Sequence, residues 1–131
     1  MEETMKAFLI SVALFFAAFT LFAGDPGTPT VEVTFSKTSD GVIYTIVFGE
    51  TTKFNINDGA PYKFFFLDES GTKLGEIPRD FFMKNRSGTV KYTSKYNEST
   101  VKYQFPVCSY NKETGEAEKC RVTKTTTLKI K

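Results

Sequence analysis

Val101-Lys102-Tyr103-Gln104-Phe105-Pro106-Val107-Cys108, then a polar stretch from Ser109 to Lys119, then Cys120-Arg121-Val122-Thr123-Lys124-Thr125-Thr126-Thr127-Leu128-Lys129-Ile130, is a β-ribbon in outline. Val101, Tyr103 and Phe105 are separated by Lys102 and Gln104, the period of two that buries one face of a strand and solvates the other. Val122, Leu128 and Ile130 share a face of the second arm, opposite a polar face rich in Thr and Lys. Glu113-Thr114-Gly115-Glu116 between the arms is polar and carries the glycine that a hairpin turn demands. If 101–107 and 120–130 are antiparallel neighbours, Cys108 and Cys120 face each other at the mouth of this ribbon.

Upstream, the same period recurs in short runs. Val31, Val33 and Phe35 alternate with Glu32, Thr34 and Ser36; Asp40-Gly41 signals a turn; Val42 to Phe48 is apolar on both parities and reads as a central strand covered on both faces. Phe54 and Ile56 resume the alternation, and Asn57-Asp58-Gly59-Ala60-Pro61 turns the chain. Tyr62 to Leu67 is the richest core segment, with Phe64 and Phe66 on one face and Phe65 and Leu67 on the other. Asp68-Glu69-Ser70-Gly71 closes a hairpin into Lys73 to Ile77. Arg79 to Lys84 shows no period and reads as a helical turn or a loop over the core edge. Asn85-Arg86-Ser87-Gly88 leads into a strand at Val90 and Tyr92, and a turn near Asn97-Glu98 leads into Val101. Seven to eight short strands, with turns every eight to twelve residues, predict an all-β fold, a two-sheet antiparallel β-sandwich.

The first residues have a different composition. Lys6 precedes an almost unbroken apolar run from Ala7 to Ala23, relieved only by Ser11 and Thr20, which is the make-up of a signal peptide. Residues 1–23 are expected to be a signal peptide cleaved near Ala23 or Gly24, giving a periplasmic or secreted protein. A run of roughly 17 apolar residues also reaches the lower limit for a membrane span, so an uncleaved anchor is the alternative. Residues 24–29, Gly-Asp-Pro-Gly-Thr-Pro, form a linker, and residues 30–131 the sandwich domain. Removing residues 1–23 takes away Lys6, Glu2 and Glu3 and leaves a net charge of +3. That mild balance, without clustered Lys and Arg, gives no reason to expect nucleic acid as a partner.

The 131-residue chain contains no histidine, which excludes any imidazole-dependent triad or dyad and the usual zinc sites. No glycine-rich loop precedes a helix, so no phosphate cradle is expected, and no cofactor or metal is called for. Asp68, Glu69 and Asp80 raise the idea of a metal site or an acid-base pair, but adjacent carboxylates in a turn are ordinarily solvated charge. Asn85-Arg86-Ser87 and Asn97-Glu98-Ser99 fit the glycosylation acceptor pattern in surface turns.

Two cysteines in an exported chain have only each other to pair with, and an intramolecular disulfide follows. Two roles remain open for it. As a staple, a link this short is worth roughly 3 kcal/mol by loop entropy. As an exchangeable bond it would need an accessible sulfur and nearby positive charge to stabilise a leaving thiolate. Lys112, Lys119 and Arg121 offer that charge, while Glu113, Glu116 and Glu118 nearly cancel it.

The quoted ribbon resembles the end of the N-terminal domain of the thiol:disulfide interchange protein DsbD family, with a weaker likeness from Phe54 to Phe66. In that family a strand with a tyrosine-glutamine pair, here Tyr103-Gln104, runs into a first cysteine; a variable loop, a second cysteine and a last strand bearing threonine and lysine follow. The resemblance implies an immunoglobulin-like sandwich exported to the periplasm, with Cys108 and Cys120 as the catalytic, redox-active pair. It further implies that the pair accepts electrons from a membrane electron donor and passes them to thioredoxin-like periplasmic proteins. Family members shield their disulfide with an aromatic cap loop, for which Phe81-Phe82-Met83 or Tyr92 and Tyr96 are candidates beside their ordinary reading as core or edge aromatics.

Overall fold

Alternate burial along the chain builds three small antiparallel sheets around one aromatic core. The computed structural model describes residues 27–131; the expected signal segment 1–23 and residues 24–26 of the linker lie outside the described residues. The described strands are β1 (Val31–Thr38), β2 (Gly41–Phe48), β3 (Thr52–Phe54), β4 (Lys63–Leu67), β5 (Lys73–Glu76), β6 (Thr89–Ser94), β7 (Ser99–Gln104), β8 (Pro106–Tyr110), β9 (Ala117–Val122) and β10 (Thr126–Ile130). Among the described residues one short helix, α1 (Arg79–Lys84), lies between β5 and β6. The sheets have the orders β1-β2-β6, β10-β7-β4-β5 and β3-β8-β9. Together they make the sandwich-like, all-β arrangement that the strand pattern predicts. Among the described residues no helix is long and apolar enough to cross a membrane.

Strand β2 is central in its sheet, as expected, but it is not covered equally on both faces. Val42, Tyr44, Ile46 and Phe48 are buried, whereas Ile43, Thr45 and Val47 are only half-buried. The buried face meets β4 across the sandwich, where the Tyr44 ring lies 5.5 Å from Phe64 and 5.6 Å from Phe66. The hairpin joining β1 to β2 needs Gly41, whose φ is +151° and whose missing side chain leaves room for the Ser94 carbonyl of β6.

The described residues form ten strands where seven or eight were expected, mainly because the last ribbon is broken in two. β7 pairs with β10 in the second sheet, and β8 pairs with β9 in the third. The break falls where Pro106 has no N–H to give to a ladder. Across it, the Phe105 N–H donates to Thr123 Oγ1 at 3.0 Å, and the Thr123 N–H donates to the Phe105 carbonyl at 2.9 Å. Two strand pairs therefore share one covalent path but lie in different sheets.

Helix α1 settles the segment without a period. Only Phe82 is fully buried, and its ring packs against Phe54 (5.7 Å), Tyr62 (5.8 Å), Phe105 (5.1 Å) and Phe48 (6.2 Å). It plugs the end of the sandwich where the third sheet closes it. Arg79, at the helix start, donates to the carbonyls of Asn55 (3.2 Å), Asn57 (2.6 Å) and Ala60 (2.9 Å), which pins the loop between β3 and β4 onto the helix. One helical turn thus supplies an aromatic plug and a loop clamp, and neither role has a strand's periodicity.

Burial of the tyrosines makes the fold sensitive to alkali. Burial pushes the Tyr44 phenol up to about 12, opposed by the Ser99 hydroxyl beside it, although neither oxygen has a partner in hydrogen-bond geometry. Tyr62 and Tyr103 are shifted the same way, chiefly by burial. A phenol whose folded pKa is raised keeps its contribution below the unfolded value and loses it as pH rises through the folded one. The urea midpoint is expected to hold steady to about pH 9 and fall above about pH 10. Tyr44→Phe should weaken that fall and leave neutral-pH stability within about 1 kcal/mol of the parent. A midpoint unchanged to about pH 12 in the parent protein would contradict this account.

Candidate functional site

Cys108 lies on β8, the centre strand of the third sheet, and Cys120 directly opposite on β9, an edge strand. Their Cα atoms are 4.0 Å apart and the sulfurs are bonded at 2.04 Å. The pair is not at the mouth of the ribbon. The ladder continues past it through Ser109↔Lys119 and Tyr110↔Ala117, with a bulge that leaves Glu118 unpaired, so the sulfurs lie towards the turn. Asn111 makes that turn: its Oδ1 accepts the N–H groups of Glu113 (2.8 Å) and Thr114 (3.0 Å), and Gly115 follows at a φ of +78°. A disulfide of this kind points to an oxidising, extracytoplasmic compartment.

The pleat decides which way the sulfurs face. Val107 and Ser109 are buried towards the core, and Phe54, the cross-strand partner of Val107, is fully buried with it. Successive residues alternate faces, so Cys108 points to the outer side of this sheet. It is nonetheless only 1 % exposed, on a strand flanked on both sides. Cys120, with every other residue of β9, is exposed. One bond thus joins a buried residue to an exposed one.

The charges beside the bond are not those the sequence places nearest. Lys119 and Arg121 flank Cys120 by one residue each, pair with Ser109 and Val107, and alternate onto the opposite face of the ribbon. Lys112 is engaged with Glu50 at 2.8 Å, an exposed pair in which the ammonium holds the Glu50 carboxyl below its ordinary range. The groups that do share the outer face come from elsewhere in the chain. Lys53 on β3 is the direct cross-strand partner of Cys108, so Lys53, Cys108 and Cys120 stand abreast across three strands. Its Nζ lies 5.2 Å from the centre of the Tyr110 ring, two residues beyond Cys108 on the same strand. Arg86, from the loop after α1, donates through Nη2 to the Tyr110 hydroxyl and to the Phe54 carbonyl, both at 3.1 Å. An open groove of about 440 Å³ borders this cluster, lined in part by Thr51, Lys53, Ser87, Tyr110 and Lys112.

The aromatic cap candidates are committed elsewhere. Phe82 is in the core, and Phe81, Met83, Tyr92 and Tyr96 pack against it; Tyr96 closes over Gly75 and donates to the Leu74 carbonyl at 2.8 Å. The aromatic side chain beside the disulfide is Tyr110. Asp68 is a turn residue, accepting from Ser70 Oγ (2.8 Å) and from the N–H groups of Thr72 (2.8 Å) and Ser70 (2.9 Å), which lower its pKa. Asp80 lies in the first turn of α1. Among the described residues no three or more His, Cys, Asp or Glu side chains come together as a metal site. Of the two acceptor asparagines, Asn85 caps α1 by donating to the Phe81 carbonyl at 2.8 Å, and Asn97 is exposed between β6 and β7.

No family model, curated protein or solved structure matches the chain.

The unequal exposure of the two cysteines has a direct chemical readout. A small thiol such as glutathione, added at limiting concentration and quenched with acid, should form its mixed disulfide predominantly on Cys120. Peptide mapping by mass spectrometry checks this, and equal trapping on the two cysteines would show that burial does not protect the Cys108 sulfur.

Proposed function

We propose that this chain is a periplasmic thiol-disulfide exchange or electron-relay domain whose working group is the Cys108–Cys120 bond. The observation that carries the reading is the polarity of that bond, exposed at Cys120 on an edge strand and covered at Cys108 on the centre strand. A partner thiolate attacks the Cys120 sulfur; a partner–Cys120 disulfide forms, the Cys108–Cys120 bond breaks, and its electron pair leaves on Cys108 as a thiolate. The partner's second thiolate then attacks its own sulfur in the mixed disulfide and releases Cys120. The partner ends as a disulfide and this domain as a dithiol, with two electrons transferred and the thiolates free to take up protons.

Two further features support the exchange. The two cysteines are not members of the aromatic core cluster, which is assembled from other residues. The resemblance of the ribbon to the DsbD N-terminal domain supplies the partners, a membrane electron donor on one side and thioredoxin-like periplasmic proteins on the other. The rival reading, a non-enzymatic immunoglobulin-like binding or structural domain with the bond as a staple, is favoured by one observation: β9 has no buried residue of its own.

Reduction potential separates the two. Equilibration of the protein with glutathione redox buffers is expected to give a value near about −200 mV, within reach of carrier proteins, with near-UV circular dichroism of the aromatic core retained in the dithiol form. A potential below about −300 mV, or loss of the core signal on reduction, would assign the bond to the staple.

A further inference from the structure

The outgoing thiolate in this exchange is left where a thiolate is least welcome. Cys108 is 1 % exposed, and burial raises a thiol's pKa and slows its departure unless a positive charge stands nearby. We infer that Lys53 is the positioning residue of the exchange, holding the Cys108 sulfur in its thiolate form from the neighbouring strand. The inference rests on the proposed exchange for its biological meaning but not for its test.

Register supplies the first argument. Lys53 and Cys108 are directly opposed on antiparallel strands, where side-chain Cβ atoms lie about 4.5–5.5 Å apart. The lysine flanks Cys108 from β3, on the side not taken by Cys120. Its stem is steered along β8 by the Tyr110 ring, 5.2 Å from Nζ, so the ammonium is confined to the outer face of the sheet. Elimination supplies the second. Lys119 and Arg121 face away from the sulfurs, and Lys112 is neutralised by Glu50. Arg86 is anchored, with Nε and Nη2 both on the Phe54 carbonyl at 3.1 Å and Nη2 also on the Tyr110 hydroxyl, and acts as a fixed second charge behind the tyrosine. Among the acidic groups near the ribbon, Glu118 at the bulge accepts from Asn111 Nδ2 at 3.1 Å, on the far side of the pair from Lys53, while Glu113 and Glu116 lie in the exposed turn beyond it. Among the described residues Lys53 makes no ion pair, so its charge is not already cancelled.

The arrangement gives the two cysteines separate tasks: Cys120 receives the attack, and Cys108, beside the ammonium, leaves. A neighbouring positive charge lowers a thiol's pKa, and a shift of about one unit is about a tenfold change in thiolate fraction near neutrality.

The test uses the full chain with Cys120→Ser, which leaves Cys108 as its one thiol, in three forms: Lys53, Lys53→Met and Lys53→Arg. Thiolate absorbance at 240 nm against pH, together with the iodoacetamide alkylation rate at pH 7, reads the acidity of Cys108. Lys53→Met should lower the thiolate fraction at pH 7 about tenfold, and Lys53→Arg should restore it. In the two-cysteine protein, Lys53→Met should move the glutathione equilibrium towards the disulfide by a similar factor, about 30 mV in potential. Thermal melts run alongside identify any change in folding. If Lys53→Met lowers the melting temperature and leaves the titration of Cys108 where it was, Lys53 is a structural residue and the inference is overturned. If the titration shifts as expected while the parent potential lies below about −300 mV, the assignment of Lys53 stands and the exchange function falls.

Discussion

The bend of the last ribbon at Phe105-Pro106 and Thr123 fixes the position of everything that bears on function. A ribbon without that bend would carry β7 and β8 in one sheet and leave the cysteines at the edge of the sandwich. Pro106 interrupts the ladder because it has no hydrogen to donate, and Thr123 repairs the interruption with its hydroxyl and its own N–H. At the pivot, the Phe105 ring is fully buried and touches Phe48, Tyr62, Phe64, Phe82 and Tyr103. Beyond the pivot, β8 pairs with β3 on one side and β9 on the other, which is how a lysine more than fifty residues upstream comes to stand beside Cys108.

The magnitudes show which part of the molecule holds the fold together. Truncating a buried phenylalanine to alanine typically costs about 3–5 kcal/mol, and rings at the pivot have that much to lose. The loop closed by the disulfide is short, so the bond contributes roughly 3 kcal/mol by chain entropy, and it acts on one edge hairpin. The aromatic core, the Thr123 hydrogen bonds and the β7–β10 ladder are all made by groups other than the bond. On the exchange reading, this division lets the disulfide open without dismantling the surface around it.

Much of this was legible in the sequence, and the exceptions have particular causes. Tyr62 to Leu67 and Val101 to Phe105 announce their faces by alternation, and the structure buries most of those faces, whereas of Val31, Val33 and Phe35 it buries only Val33 and leaves Phe35 exposed; cysteine arithmetic alone pairs Cys108 with Cys120. Pro106 lies inside the 101–107 run read as one strand, and the apolar residues after it disguise the change of sheet that its missing N–H marks. Val42 to Phe48 suggested two covered faces because Ile43 and Val47 are apolar, yet a small domain has too little material to bury both. Phe81 to Met83 has no period because only Phe82 enters the core. The charges around the sulfurs were misjudged for two separate reasons. Lys119 and Arg121 stand one residue either side of Cys120, and strand alternation alone would have sent them to the other face. Lys53 and Arg86 could not be found from local sequence, because the pairing of β3 with β8 is a non-local contact that no neighbouring residue encodes.

The polarity of the disulfide follows from where its strands sit in the sheet. A centre strand has neighbours on both sides, and a side chain on it is closed in by two cross-strand partners; an edge strand has one side open. A cystine that joins the two therefore presents one end to solvent and hides the other, whatever surrounds it. Adding a cation on the closed side, as Lys53 does, reinforces the difference, since the hidden sulfur becomes the better leaving group and the open one the only target. On the exchange reading, the direction of attack is then a property of sheet topology, with strand register placing the charge. The same cystine between two centre strands would be closed at both ends, and between two edges it would be open at both; neither would distinguish an attacked sulfur from a departing one.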